Sequence, residues 1–139
     1  MKILLAVDGS DDARQAVEFV ANTPWLHAGN EVTLFTVVPP LGRVESIDSD
    51  PELVLADQAD EAEAILDPVR SRLKAAGVAV HVDWAEGAAA ETIVLEATRG
   101  CFGLIVMGCR GRGALTSLVA GSTTRGVMAG CRVPVLVIR

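Results

Sequence analysis

Five short apolar runs alternate along the chain with segments whose apolar residues recur every three or four positions. The runs are rich in branched residues, as buried strands are, and they cover residues 3–7, 32–38, 78–82, 104–107 and Val135–Ile138. The spacing between them indicates amphipathic helices. Because strands joined by helices run parallel through right-handed crossovers, the sequence predicts an α/β fold. We expect an open, Rossmann-like, parallel five-stranded sheet with helices on both faces.

The helices are predicted from the same periodicity and from the residues that flank it. The first begins near Ser10, and either Asp11 or Ser10 can cap it. The longest covers residues 59–76 and closes at Gly77, because glycine favours helix C-termini. Pro68 lies inside it, where a proline removes a helical hydrogen bond, so we expect a kink or a break. Two more helices are predicted over residues 88–99 and from Ser122 to about residue 130.

The positions of the strands within the sheet follow from their polarity. The run over residues 78–82 alternates apolar and polar residues, which is typical of an edge strand. The runs over 104–107 and Val135–Ile138 are apolar throughout and are predicted to be central. Residues 39–51 contain turn formers without a clear period, so they are predicted to form a surface loop.

Length and composition restrict the class of protein. The chain has 139 residues, which predicts one domain over residues 1–139. No apolar run approaches a membrane span, and Asp8 ends the first run too early for a secretory signal. The three cysteines, Cys101, Cys109 and Cys131, show no C-x-x-C spacing, so neither a disulfide framework nor a zinc site is indicated. We expect a cytoplasmic protein with reduced thiols and no membrane contact.

Charge is distributed unevenly along the sequence. Residues 1–96 hold all 18 acidic residues and six basic ones, whereas residues 97–139 hold six arginines and no acidic residue. This asymmetry suggests that the C-terminal third faces an anion. Nucleic acid is disfavoured because the net charge is −6 and the chain lacks tyrosine for base stacking. A small phosphorylated ligand fits better.

A glycine-rich segment over residues 108–121 leaves the fourth strand and enters the last helix. Glycines let the backbone approach an anion closely, and the first N–H groups of a helix favour a phosphate. Hydroxyls of Ser122, Thr123 and Thr124 and the charges of Arg110 and Arg112 could add contacts. The segment has no G-K-[ST] sequence, so it is not a Walker A loop. Its glycines also differ in spacing and place from the dinucleotide fingerprint.

Read as G-x2-G-x9-G-[ST], with Gly108, Gly111, Gly121 and Ser122, the segment resembles the nucleotide-binding signature of the universal stress protein family. The resemblance extends to residues 3–10, 103–108 and 133–138. Three places depart from the family pattern, and one of them is the turn Glu86-Gly87-Ala88, which lacks the common Asp-Pro. Gly103 stands where the family often has aspartate, and Cys109 stands where it often has serine or threonine.

The resemblance implies a strand order of 3-2-1-4-5, ATP binding with Mg2+ bridging the phosphates, and a homodimer formed through Val135–Ile138. It places Asp8 near the ribose and the metal. It implies an adenine pocket lined by the backbone of Ala6 and Val7 together with Val37 and Met107. The residues that it implies for ribose and phosphate binding are Gly108, Arg110, Gly111, Gly121, Ser122 and Thr123.

Other interpretations stay open at this stage. Asp8 could only cap the first helix, and Arg112 could be a solvated surface charge. The chain could be an interaction module that acts through its dimer surface, with an unknown protein partner, or a sensor of AMP or a cyclic nucleotide. No general base is evident, so at most slow ATP hydrolysis or self-phosphorylation on Ser122, Thr123 or Thr124 is expected. Cys109, between the loop arginines, could be redox-active.

Overall fold

A computed structural model of the chain describes residues 1–40, 51–111 and 120–139. Within these residues the strands are β1 (Lys2–Ala6), β2 (Glu31–Val38), β3 (Val80–Glu86), β4 (Leu104–Gly108) and β5 (Val135–Ile138). The helices are α1 (Asp11–Ala21), α2 (Pro24–His27), α3 (Pro51–Ala75), α4 (Ala89–Arg99) and α5 (Ser122–Gly130). The predicted alternation of strands and helices is confirmed, and α2 is a single additional turn.

The strands form one parallel sheet in the order β3-β2-β1-β4-β5, which confirms the predicted fold. Ala6, the last residue of β1, lies opposite Phe35 of β2 and Met107 of β4. β2 and β3 lie on one side of β1, and the chain then crosses over to place β4 and β5 on the other side. The carboxyl ends of β1 and β4 therefore meet where parallel α/β sheets bind their ligands.

Helices cover both faces of the sheet, as predicted. On one face, Leu5 of β1 belongs to a buried cluster with Val20 of α1 and Leu66 of α3. On the other face, Leu4 belongs to a cluster with Ile93 of α4 and Val127 of α5. Because neighbouring strand residues point to opposite faces, β1, which is apolar from Ile3 to Ala6, supplies both clusters.

Helix α3 is longer than the sequence predicts and is continuous. It begins at Pro51, a residue type favoured in the first turn, and it passes through Pro68 without a break. The prediction is a kink or a break, and of these the break is wrong. Leu66 and Leu73 lie on either side of Pro68 and are both buried, so packing on the sheet holds the two halves in one helix. In the part of the chain that the structure describes, no helix is long and apolar enough to cross a membrane.

Gly77 ends α3 as predicted, with a left-handed φ of 79°. The Gly77 N–H donates to the Lys74 carbonyl at 3.0 Å, and the Val78 N–H donates to the Leu73 carbonyl at 2.9 Å. This pair of bonds is a Schellman motif, in which glycine is favoured because it adopts positive φ without steric cost. The chain then enters β3.

The two edge strands test the polarity argument. β3 lies at one edge, as its mixed polarity predicts, and pairs with β2. β5 lies at the other edge, so the expectation that it is central is wrong. All four of its residues are only partly buried. Apolar composition reflects packing against the two buried clusters, which Val135, Leu136 and Ile138 contact, but it does not show whether a strand pairs on its second edge.

Candidate functional site

A cleft opens at the carboxyl ends of β1, β2 and β4. The turn after β1, the loop after β4 and the N-terminus of α5 meet there. Nine of the residues predicted to bind nucleotide line this cleft: Ala6, Val7, Asp8, Val37, Met107, Gly108, Arg110, Gly111 and Thr123. The topology thus brings together residues that are about 100 positions apart in the sequence.

One end of the cleft is apolar and firmly held. Phe35, Met107 and Ile93 line it, and each is less than one tenth exposed. The Thr36 hydroxyl, itself buried, donates to the Val7 carbonyl at 2.7 Å, and the Val7 N–H donates to the Phe35 carbonyl at 2.9 Å. These bonds fix the backbone where β1 leaves the sheet. The result is a preformed apolar wall of the kind that small-molecule sites use.

The turn after β1 joins the cleft to α1. The Ser10 N–H donates to the Asp8 carboxylate at 2.9 Å, and Gly9 between them has a φ of 81°. The Ser10 hydroxyl accepts from the Ala13 N–H at 3.2 Å, which caps α1 as predicted. The same hydroxyl donates to the Arg110 carbonyl at 3.3 Å. Ser10 therefore connects the turn to the loop after β4.

Gly108 and Gly111 allow the two segments to approach closely. A Cβ atom at Gly108 would lie 2.6 Å from the Asp12 carbonyl carbon and 2.7 Å from the Ala13 nitrogen, both of which are backbone atoms of α1. A Cβ at Gly111 would lie 2.9 Å from Oδ2 of Asp8. Glycine is therefore required at Gly108 for packing against α1, and the Asp8 carboxylate lies directly against Gly111.

Asp12 is a functional candidate that the sequence reasoning missed. Its side chain is only 8% exposed, and its carboxylate accepts three bonds from Arg110. The donors are the main-chain N–H at 2.9 Å, Nε at 3.0 Å and Nη2 at 3.2 Å. An acidic residue in the first turn of a helix is common, so the sequence offered no signal for this partner.

The ion pair changes the electrostatics of the cleft. Hydrogen bonds from the Arg110 side chain hold the pKa of Asp12 below its ordinary value, because they favour the charged carboxylate. Asp12 in turn raises the pKa of Arg110, so this guanidinium stays charged. The positive charge of Arg110, which the sequence analysis expected to face a bound anion, is thus paired with the buried Asp12 carboxylate.

A family model described as the universal stress protein family matches residues 1–139. The chain belongs to this family. Universal stress protein Sll1654 of Synechocystis sp. is 33% identical over 137 residues, which span 98% of this chain and 83% of that protein. The solved structure of protein MJ0577 superposes with a TM-score of 0.83 at 28% identity and covers 99% of this chain and 94% of its own.

A second solved structure is that of the universal stress protein from Archaeoglobus fulgidus in complex with dAMP. It matches with a TM-score of 0.72 at 25% identity, over 100% of this chain and 98% of its own. The family and the fold inferred from the sequence are thereby confirmed.

In this universal stress protein, Gly121 and Ser122 lie beside the cleft rather than among the residues that line it. The Gly121 N–H donates to the Cys109 carbonyl at 2.8 Å, and Gly121 precedes α5 as its N-cap. Ser122 is exposed. Thr124 is buried, and its hydroxyl donates to the Gly108 carbonyl at 2.9 Å, so it ties α5 to β4. Arg112 lies outside the described residues.

Cys109 is buried in this fold, and its main-chain N–H donates to the Ile138 carbonyl at 2.7 Å. Burial favours a packing role over reactivity for a cysteine. Among the described residues, no group of three or more His, Cys, Asp or Glu could hold a metal ion by itself.

Proposed function

We propose that this chain binds an adenine nucleotide, ATP with Mg2+, in the cleft at the carboxyl ends of β1, β2 and β4, and acts as a nucleotide-dependent regulatory protein. The observation that carries the proposal is the convergence of the Asp8 turn, the glycine loop and the start of α5 on one preformed cleft. The complex of the Archaeoglobus fulgidus relative with dAMP supports an adenine nucleotide as the ligand.

The apolar end of the cleft suits the base. Met107 of β4 and Val37 of β2 line the cleft on either side of the β1 terminus, and Ala6 and Val7 line it between them. A purine buries a large flat surface against such walls, and removing that surface from water stabilises the complex. The bonds that fix Val7 keep this end formed before the ligand arrives, which reduces the cost of ordering the site.

The glycine-rich end suits the ribose and the phosphates. Gly108, Gly111 and Gly121 allow the main chain to approach oxygen atoms closely, and Arg110 lies between the first two. The first N–H groups of α5 have no intrahelical acceptor, so those from Ser122 and Thr123 are available to an anion at the helix N-terminus. The helix dipole adds a favourable partial positive charge there.

Asp8 is the residue proposed to hold Mg2+. Magnesium in nucleotide sites commonly uses one or two carboxylates, the phosphates of the ligand and several water molecules. Asp8 fits this requirement because it lines the cleft and its Oδ2 faces the glycine loop across from Gly111. When bound, the metal would neutralise phosphate charge that would otherwise repel the Asp8 carboxylate.

A monophosphate is the second candidate ligand, because the Archaeoglobus fulgidus protein is known in complex with dAMP. Competition among ATP, AMP and cyclic AMP for the cleft separates the two proposals. Displacement of labelled ATP by AMP at an equal or lower concentration would favour a monophosphate sensor.

Calorimetric titration of ATP with Mg2+ into the protein tests the proposal. Gly121→Val is the informative variant, since even a Cβ at this position would lie 3.2 Å from the Gly111 nitrogen and 3.3 Å from the Arg110 Cα. Gly130→Val is the matched control at the opposite end of α5, where Gly130 is exposed and a Cβ meets only Val94 at 3.7 Å. We expect saturable binding that only the first variant abolishes. A folded wild type that binds none of the nucleotides would refute the proposal.

We also propose a homodimer through β5. The Ile105 N–H donates to the Pro134 carbonyl and the Cys109 N–H to the Ile138 carbonyl, so alternate residues of β5 face β4. The polar backbone groups of Val135 and Val137 therefore point toward the open edge, where a second copy can pair with them.

Sedimentation should give twice the mass of one chain. Val137→Pro, which removes an edge donor, should give monomers, and a wild-type monomer at high concentration would refute the dimer.

A further inference from the structure

We propose that Asp12 is a positioning residue that fixes the loop from Cys109 to Gly111, and that Arg110 acts through its pairing with Asp12 rather than by binding phosphate. This inference rests on the proposed nucleotide function for its consequences in binding. Its structural basis is the three bonds from Arg110 to one buried carboxylate.

The first argument is the position of the ion pair. Asp12 lies in the first turn of α1, where its side chain is 8% exposed, whereas the Arg110 side chain is 36% exposed. If the Arg110 side chain turned away to bind a phosphate, Asp12 would lose both guanidinium bonds and keep only the main-chain N–H of Arg110. Breaking a buried pair in this way is strongly unfavourable, so a contact between Arg110 and a phosphate would have to offset the loss of the two guanidinium bonds to Asp12. The stable arrangement keeps Arg110 on Asp12.

The second argument is what the pair does to the backbone. The Arg110 N–H is held by Asp12 and the Arg110 carbonyl by the Ser10 hydroxyl, so both peptide units around this residue are fixed from α1. The peptide bond is planar, so the Gly111 N–H, which shares a unit with that carbonyl, has its direction set as well. Fixed backbone donors are what a glycine-rich anion site requires.

The third argument is a contrast with another ion pair on α1. Glu18 receives two bonds from Arg72 at 2.7 and 2.8 Å, which is similar geometry. Those side chains are 44% and 38% exposed, and neither lines the nucleotide cleft. The Glu18–Arg72 pair therefore provides a matched control, with the same kinds of group on the same helix but without the loop.

The binding test compares ATP, ADP and AMP on wild type, Arg110→Lys, Arg110→Met and Arg72→Met. Both Arg110 variants lose the two guanidinium bonds to Asp12, so we expect each variant to lower the affinity for all three nucleotides by a similar factor of about tenfold. Arg72→Met should bind like wild type. If Arg110→Lys kept wild-type affinity while the loss in Arg110→Met grew from AMP to ATP, the charge of Arg110 would act on the phosphates and the inference would be wrong.

A second measurement needs no nucleotide. Hydrogen exchange of the Arg110 amide in the free protein should be faster by about tenfold or more in Asp12→Ala, since the bond that protects it is lost. Glu18→Ala should leave this amide unchanged. If Asp12→Ala does not fold, Asp12→Asn keeps the shape and should accelerate exchange to a smaller extent. Unchanged exchange in the folded variant would overturn the inference, whereas absence of nucleotide binding in wild type would overturn only the proposed function.

Discussion

Replacing Gly108 with alanine tests how closely the loop after β4 must pack against α1. The added methyl group would lie 2.6 Å from the Asp12 carbonyl carbon, 2.7 Å from the Ala13 nitrogen and 2.8 Å from the Asp12 oxygen. All three are backbone atoms, so no side chain can rotate to make room. To restore an ordinary contact, α1 and β4 must move apart by about 0.8 Å.

The expected cost follows from this displacement. Overpacking in a close-packed interior typically costs about 1–3 kcal/mol, and the upper end applies here because the backbone itself must shift. We therefore expect the free energy of unfolding to fall by about 3 kcal/mol and the urea midpoint to fall by about 1–2 M. Urea denaturation followed by circular dichroism measures this directly.

Gly130→Ala is the control, because its added methyl group meets only Val94 Cγ2 at the ordinary distance of 3.7 Å. Alanine is also favoured over glycine in a helix, so the urea midpoint of Gly130→Ala should equal or slightly exceed that of wild type. If Gly108→Ala had the same midpoint as Gly130→Ala, the close approach of α1 and β4 would be wrong. The account of how Asp12 reaches Arg110 would then fail with it.

Two further predictions concern buried polar groups. The pKa of Asp12 lies below its ordinary value of 3.8. The ion pair therefore stabilises the fold to its full extent at pH values well above 3.8, and this stabilisation is lost as the pH falls through the lower pKa of the folded state. Acid titration of stability should show a shallower decline in Asp12→Asn than in wild type, and parallel curves would contradict this assignment. Thr124→Val removes the buried donor to the Gly108 carbonyl and should cost about 1–3 kcal/mol, whereas Thr98→Val, at an exposed helical hydroxyl, should change stability by less than about 0.5 kcal/mol. Equal effects of the two substitutions in urea denaturation would show that the Thr124 bond does not stabilise α5 against β4.

The fold could be predicted because each apolar run has a physical signature of its own. β1 is apolar at every position after Lys2 since it packs against helices on both faces, and the apolar run continues through Val7 until Asp8 and Gly9 begin a polar turn. The same reasoning located the cleft, because parallel strands place the residues after their carboxyl ends at one edge of the sheet. Most of the predicted site residues lie there for this reason.

Features that depend on contacts distant in the sequence could not be predicted. Asp12 and Arg110 are 98 residues apart, and each has an ordinary local explanation as a helix-start acid or a loop cation. Composition also failed to show that β5 is an edge strand. The first turns of α3 were missed because Leu53 and Leu55 are exposed at 65% and 59%, so they do not form the apolar stripe that reveals a packed helix.

The most direct test of nucleotide binding in this cleft is an NMR titration of the labelled protein with ATP and Mg2+. The account predicts saturable shifts of the Gly108, Gly111 and Gly121 amides. Gly29 and Gly77 precede β2 and β3, at the amino-terminal ends of the strands and away from the cleft, so the signals of their amides should not shift. Shifts confined to residues away from the cleft, or no shifts at millimolar nucleotide, would contradict the central claim.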